Sequence, residues 1–476
     1  MAMDTDPITQ RESGLHRSLS ERQLAMIAIG GAIGTGLFLG STLAISLAGP
    51  AVILSYVFGA VIALLMIWAL SEMSVVHPTA GSFGVYAEEY LNPYSGFVVR
   101  WTYWLAQVIA IGGEVTAAGI YTQYWLPNVP LWYFVIAYSI ILIGVNAANV
   151  KAFGEFEYWF AMIKVVVIAL FIILGLGVLI FGWGGMPNVG FVNWVSHQGF
   201  FPHGVWGAWC AMLIVIFSFY GVEVVSVTSG EAKNPEKSLP RAMRSMVLRL
   251  TLFYVIAIAI VVAVVPWTQA GLHSGVTTSP FVLVFRDVGI PAAAGIMNFV
   301  VLTAALSSMN TNLYLTTRMM FSLSRSRFAP HSFGRLAQNG APRNALLLST
   351  VGLALAAILS VVYADTAYFY LFGISIFGGI LVWMFVLATV LAFRRKRAAQ
   401  GLPPSPLQMP LYPWSAIFGL VALFGILLTA FPDGLQVAWY AGVPYIVVIS
   451  IIYYFVRRGT QTPAQAPDAP EHKSAS

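Results

Sequence analysis

Long stretches of this chain run without a charged residue. Between Val247 and Gln269 the only formal charge is Arg249, and between Ala345 and Phe393 it is Asp365. A helix needs about 20 consecutive apolar residues to cross the hydrocarbon of a bilayer. Inside lipid, every backbone polar group must find its partner within the protein, which leaves helices as the natural spanning element here. Counting apolar stretches by this length predicts about twelve spans, at 22–47, 51–76, 96–125, 131–149, 157–182, 207–229, 247–266, 292–321, 345–363, 367–393, 413–431 and 434–456. The predicted fold class is therefore an all-α integral membrane protein. A polar tail at 1–19, a transmembrane domain at 20–456 and a second polar tail at 457–476 complete the division, with no separate soluble domain. Ser20-Glu21-Arg22-Gln23 has the pattern of a capping box and sets the start of the first helix.

Composition agrees. The chain is 59% hydrophobic and 9% charged, against about 25% charged in soluble domains. With the N-terminus placed in the cytoplasm, 22 of the 24 lysines and arginines fall at cytoplasmic ends of spans or in the tails. That positive-inside pattern predicts cytoplasmic termini and an even number of spans. The net charge of +6 is then an orientation signal and not a nucleic-acid footprint. One cysteine, Cys210, excludes an intramolecular disulfide and a cysteine metal cluster. The first 20 residues lack the apolar core of a cleavable signal peptide, so the first span is expected to target the chain to the cell inner membrane.

Four features inside the spans carry chemistry. In span 1, Gly30-Gly31-Ala32-Ile33-Gly34-Thr35-Gly36 places four glycines in seven residues, each costing a helix about 1 kcal/mol against alanine. A break here would free backbone N–H groups that suit an anion such as a carboxylate. Close helix packing through small residues is the plainer explanation. In span 6, Phe217-Ser218-Phe219-Tyr220-Gly221-Val222-Glu223 offers a second breaking point at Gly221. Carbonyls there would receive an ammonium group, with Phe219 and Tyr220 as gates or as ordinary packing. Glu223 is an acid within a span, functional by default. Lys164, a third of the way into span 5, is a proton-coupling candidate, because desolvation makes a buried lysine give up its proton readily; snorkelling to the interface is the alternative. Glu114, deep in span 3, can bind a proton, an amine or Lys164, or serve as a structural hydrogen-bond partner. The candidate binding set is thus Ile33, Gly34, Thr35, Gly36, Glu114, Phe217, Ser218, Phe219, Tyr220 and Gly221, with Lys164 and Glu223 as coupling residues. Glu155 and Glu157 suit the N-terminus of span 5 and receive no site role. Glu72, His77 and Pro78 are expected in loop and gate structure. No metal or other cofactor is expected.

Spans 1 and 6 are interrupted alike and lie five spans apart, which suggests inverted repeats. These segments together resemble the amino acid–polyamine–organocation superfamily, and within it the bacterial amino acid transporter (amino acid permease) family. The likeness covers about 15–456. It rests on Gly31 to Phe38, Ala48-Gly49-Pro50, Pro78 to Phe83, Phe153 to Phe160 leading to Lys164, and Phe217 to Glu223 with Glu231, Asn234-Pro235 and Pro240 behind it. The resemblance implies a five-plus-five inverted repeat with spans 11 and 12 outside the core. It implies proton-coupled import of amino acids, with the Gly34-Thr35-Gly36 amides on the substrate carboxylate and carbonyls of Phe217 to Phe219 on its amino group. Lys164 would take the position of the second sodium of sodium-coupled relatives, and span 8 near Ser307-Ser308 would close it. Tyr220 departs from the pattern, standing where relatives often have a smaller residue.

The expected partners are an amino acid, protons and the lipid bilayer. The leading expectation is proton symport of a neutral amino acid by alternating access. Exchange, or import of GABA, a cationic amino acid or a polyamine, is the alternative; a dication would want more buried acids than Glu114 and Glu223. A non-transporting sensor would want a long soluble tail, an enzyme a catalytic constellation, and a channel charged rings or a repeated pore lining.

Overall fold

The structure, a computed structural model, describes residues 10, 15, 19–148, 150–183, 190–232, 235–270, 279–287, 293–337, 340–363, 367–430 and 436–461. Helix follows helix. Span 1 is α1 (Glu21–Ala32), a π-helical turn at Gly36–Gly40 and α2 (Ser41–Ala48). Then come α3 (Val52–Ser74), α4 (Ser82–Tyr90), α5 (Pro93–Gln123), α6 (Leu131–Ala148) and α7 (Val150–Phe181). Span 6 is α8 (Gly204–Ser218) and the short α9 (Val224–Val227). They are followed by α10 (Pro235–Val264), α11 (Trp267–Ala270), α12 (Pro280–Asp287), α13 (Ala293–Arg325), α14 (Arg343–Ser349), α15 (Val351–Val362), α16 (Ala367–Ala399), α17 (Trp414–Thr429) and α18 (Val437–Gln461). Among the described residues the one extended pairing is a parallel bridge between Leu19 and Ala232.

The local signals act as expected. Ser20 Oγ accepts from the Gln23 amide, and the Gln23 side chain accepts from the Ser20 amide, so the capping box opens α1. Asn92 caps α5 through the Ser95 amide, with Pro93 in the first turn. Between α2 and α3 the chain reverses at Gly49, whose φ of +60° is comfortable only for glycine. Each expected apolar stretch falls on a helix or a broken helix, and seven helical runs are long and apolar enough to cross a bilayer. Two differences stand out. The segments 82–90 and 280–287 form helices where loop was expected. And α7 begins at Val150, about two turns before the expected start at 157. Most of both tails, and the side chains of Lys151, Arg241, Arg244 and Arg249, lie outside the described residues.

Burial sorts the helices. The apolar window of α5 is 89% buried, and α5 packs along α13 and α16, so it forms the axis of the molecule. That of α18 is only 11% buried, which places α18 at the periphery. Ile140 and Ile141 on α6, Leu170 and Ile173 on α7 and Val447, Ile451 and Phe455 on α18 are exposed. In water this surface would be an aggregation hazard; in a bilayer it is the face turned to solvent.

Three arginines of the positive-inside pattern are ion-paired, two of them buried. Arg100 is in the second turn of α5, fully buried, and meets Glu88 of α4 and the Ser322 and Ser326 hydroxyls of α13. Arg318 is buried in α13, ion-paired to Glu231 (2.7 Å) and stacked 3.8 Å over the Tyr314 ring. Arg394 grips the buried Glu72 with Nε and Nη2 at 2.5 and 2.7 Å. These contacts gather one end of α3, α5, α13 and α16 into a single basic face. The Leu19 amide donates to the Glu231 carbonyl at 3.1 Å, tying the chain ahead of α1 to the chain after α9 at that face.

Candidate functional site

Both expected breaks are present. α1 stops at Ala32 because Ile33 adopts extended backbone (φ −86°, ψ 94°), and helical geometry resumes at Thr35. A helix end leaves its last carbonyls without amide partners. Here the Lys164 ammonium takes that role, donating to the carbonyls of Ile33 (2.8 Å) and Gly30. Lys164 is fully buried. It therefore does not snorkel; it plugs the end of α1.

In span 6, α8 ends at Ser218 and Gly221 takes φ +97°, again a conformation that favours glycine. The Phe217 carbonyl accepts from the Tyr220 amide at 3.0 Å. The carbonyls of Ser218 and Phe219 accept no backbone hydrogen bond among the described residues. Glu223 braces the loop from within: its carboxylate accepts from the Gly221 amide (3.2 Å), the Tyr103 hydroxyl (3.0 Å) and Gln107 (3.2 Å). The two breaks touch. A Cβ on Gly36 would lie 2.8 Å from the Ser218 Cα, so only glycine lets the backbones approach this closely.

Between the breaks is a small polar cavity of about 20 Å³, roughly the space of one water. Gly34 and Gly36 line it from span 1, Phe217, Ser218 and Tyr220 from span 6, Gln107, Ala110 and Glu114 from α5, and Ser308 and Asn312 from α13. Glu114 Oε1 accepts from the Ser308 hydroxyl at 2.9 Å, while Glu114 Oε2 is buried with no hydrogen-bond partner. An unpartnered buried carboxylate oxygen is costly, and Glu114 lines a cavity that can hold a donor.

The cavity is roofed by aromatic rings. Phe217 packs 4.3 Å from Phe372, and Tyr220 lies 5.2 Å from Phe217 and 5.3 Å from Trp383. The Tyr220 hydroxyl donates to the Ile376 carbonyl at 3.0 Å. Tyr220 thus fills volume next to the cavity. Replacing it by alanine is expected to favour larger substrates, by roughly tenfold or more per added methylene-sized group. Competition assays against amino acids of increasing side-chain size read this directly, with Tyr220→Phe keeping the wild-type order. An unchanged order in Tyr220→Ala would remove Tyr220 from the size filter.

Of the residues singled out from sequence, Gly34, Gly36, Glu114, Phe217, Ser218 and Tyr220 meet at the cavity. Thr35 is buried at the break. Ile33 gives its carbonyl to Lys164. Phe219 turns away, 4.8 Å from the Tyr254 ring, and is not among the cavity's roofing rings. Lys164, Gly221 and Glu223 stand behind the cavity wall. Gln107, Ala110 and Asn312 were missed. Gln107 lies two turns from Glu114 and Asn312 one turn from Ser308, so helical periodicity places each on its partner's face.

Glu157 was also missed. Its place before the apolar stretch suggests a helix start, but the early start of α7 puts it two turns in, fully buried. It accepts hydrogen bonds from Ser307 and from Asn310 (3.2 Å) of α13. It faces Gly30, where a Cβ would stand 2.8 Å from Glu157 Oε1. Glu157 and Lys164, seven residues apart on one face of α7, therefore both meet Gly30 of span 1. Neither forms an ion pair with the other within 4.0 Å. No group of three or more possible metal ligands occurs among the described residues.

Two broken helices meeting at a buried polar cavity, inside a bundle faced with exposed apolar side chains, define a multi-pass membrane protein of the transporter class. The chain belongs to the amino acid permease family, whose model matches residues 23–462. It is an amino acid transporter and not an enzyme. It is 41% identical over 92% of its length to the amino-acid permease RocC of Bacillus subtilis (94% of that protein). It is 38% identical to the gamma-aminobutyric acid permease of the same organism, over 97% of this chain and 98% of that one. The probable threonine/serine transporter YbxG, also from Bacillus subtilis, is 37% identical over 94% of this chain and 97% of its own length.

Proposed function

We propose that the protein imports a neutral amino acid together with a proton by alternating access, through twelve crossings in a five-plus-five inverted repeat. The basic face and both termini are cytoplasmic in this reading, and the membrane is the cell inner membrane. One observation carries the coupling: the Lys164 ammonium sits on the carbonyls of Gly30 and Ile33 at the break of span 1. A charged lysine holds that break closed through charge-assisted hydrogen bonds. A neutral one loses the charge and much of the hold. Binding and release of one proton thereby bias the position of α1, and Glu157, on the far side of Gly30, is the proton's relay toward the basic face. The substrate lies between the two breaks, its carboxylate on the Gly34 to Gly36 amides and its ammonium on the open carbonyls of span 6 and on Glu114 Oε2.

Neutral substrates fit because Glu114 is the only acidic or basic residue lining the cavity among the described residues. GABA is a second reading, favoured by the similarity to the gamma-aminobutyric acid permease. Uptake into proteoliposomes by the purified chain, with a panel of labelled amino acids, GABA and a polyamine in sodium-free buffer, tests all of these. Stimulation of one substrate class by an inward proton gradient is expected. Uptake that ignores the gradient and requires amino acid inside would make the protein an exchanger.

A further inference from the structure

α16 ends in four successive basic residues, Arg394 to Arg397. Two of them have carboxylate partners. Arg394 holds Glu72 with two nitrogens, donates to the Met409 carbonyl at 3.1 Å and stacks 4.1 Å from the Tyr412 ring. Lys396 pairs with Glu89 at 2.7 Å. Arg397 has no carboxylate within 4.0 Å among the described residues. One of its terminal nitrogens donates to the Pro403 carbonyl at 2.6 Å, and its guanidinium lies 5.4 Å from the Phe393 ring. Its Nε–H is closed off from solvent and has no acceptor. A buried donor left without an acceptor costs about 1–3 kcal/mol.

That guanidinium lines a pocket of about 270 Å³, shared with Arg394, Glu72, Leu402, Ser405 and Gln408. Glu72 is neutralised by Arg394, so the pocket carries one uncompensated positive charge. The other terminal nitrogen of Arg397, which has no acceptor among the described residues, suits a phosphate. The surroundings say where that phosphate comes from. Leu402 at the pocket is exposed, and the segment whose Tyr412 stacks on Arg394 carries Leu411 and Trp414, which are 83% and 74% exposed. Tryptophan beside exposed leucines marks the headgroup level of a membrane.

We propose that this pocket binds the phosphate of an anionic glycerophospholipid, with Arg397 as its fork and acyl chains lying along Leu402, Leu411 and Trp414. Because α16 also packs against α5, which carries Glu114, an occupied pocket fixes the helix that supports the cavity wall.

The test compares the full chain in phosphatidylcholine vesicles with and without phosphatidylglycerol, reading the thermal unfolding midpoint. The midpoint is expected to rise with phosphatidylglycerol, and Arg397→Gln to lose at least half of that rise. Arg335→Gln, an exposed arginine elsewhere on the basic face, is expected to keep it. Equal loss in both variants would show attraction to the general positive surface and overturn the site. An equal rise from inorganic phosphate in phosphatidylcholine alone would overturn the lipid assignment in favour of a soluble anion. Native mass spectrometry of the unmodified protein needs no variant: retained phosphatidylglycerol supports the site, and its complete loss under conditions that keep the protein folded overturns it.

Discussion

Lys164→Ala is expected to abolish gradient-driven accumulation while leaving the protein folded and able to bind substrate. A potential of about 100 mV moves one charge with about 2.3 kcal/mol, which supports roughly 50-fold accumulation when one proton accompanies each neutral substrate. In proteoliposomes the wild type should approach that ratio, and Lys164→Ala should fall to a ratio near one, at which inside and outside concentrations simply equalise. The reason is local. The mutant leaves the Gly30 and Ile33 carbonyls without the ammonium that bridges α7 to the break of span 1. Glu157→Gln separates the relay from the clamp: the amide oxygen can still accept from Asn310 and the amide nitrogen can donate to the Ser307 hydroxyl, but the side chain holds no exchangeable charge. It should slow proton-driven uptake and spare substrate exchange between two loaded sides. Undiminished accumulation by Lys164→Ala would end the coupling role outright.

Gly34→Val should remove substrate binding. Even one methyl on Gly34 would meet Ser308 Oγ at 2.6 Å and Glu114 Oε1 at 3.0 Å, groups that themselves line the cavity. The glycine is there because backbone, hydroxyl and carboxylate converge within contact distance. Gly34→Ala, the gentler change, is expected to weaken binding by about 1–3 kcal/mol, roughly 5- to 150-fold in affinity. Isothermal titration or scintillation proximity binding on monodisperse protein measures both. Full affinity in folded Gly34→Val would place the carboxylate somewhere other than the span 1 amides.

The helices and their two interruptions could be read from the sequence because both are local properties. Apolar length marks a span, and a cluster such as Gly30 to Gly36 marks where a helix cannot continue. The fold's short elements were less legible: Ser82–Tyr90 and Pro280–Asp287 are below the length that a bilayer demands. Pairing was least legible. Arg100 and Arg318 look like orientation charges until Glu88 and Glu231 are brought to them from other parts of the chain. Glu157 was misplaced for a related reason. A charge near an apolar stretch looks like its boundary, yet α7 runs two turns further back and carries the acid inside, where Ser307 and Asn310 of α13 receive it. Gln107 and Asn312 carry no charge, so nothing but periodicity relative to Glu114 and Ser308 separates them from other buried amides.

The tie between the Leu19 amide and the Glu231 carbonyl has a mechanical consequence. It fastens the lead into α1 to the exit from α9, so the two half-helices on the basic face share one handle. In the proposed alternating-access cycle each has its own hinge, at Ile33 and at Gly221, but this hydrogen bond couples their motion, and a swing away from α13 would part Glu231 from the buried Arg318 of that helix. Stripping a buried ion pair of one partner is strongly unfavourable, on the order of 3–5 kcal/mol. On the proposed cycle the door on this side is a single leaf with a latch rather than two independent flaps, and partial, leaky ajar states are disfavoured.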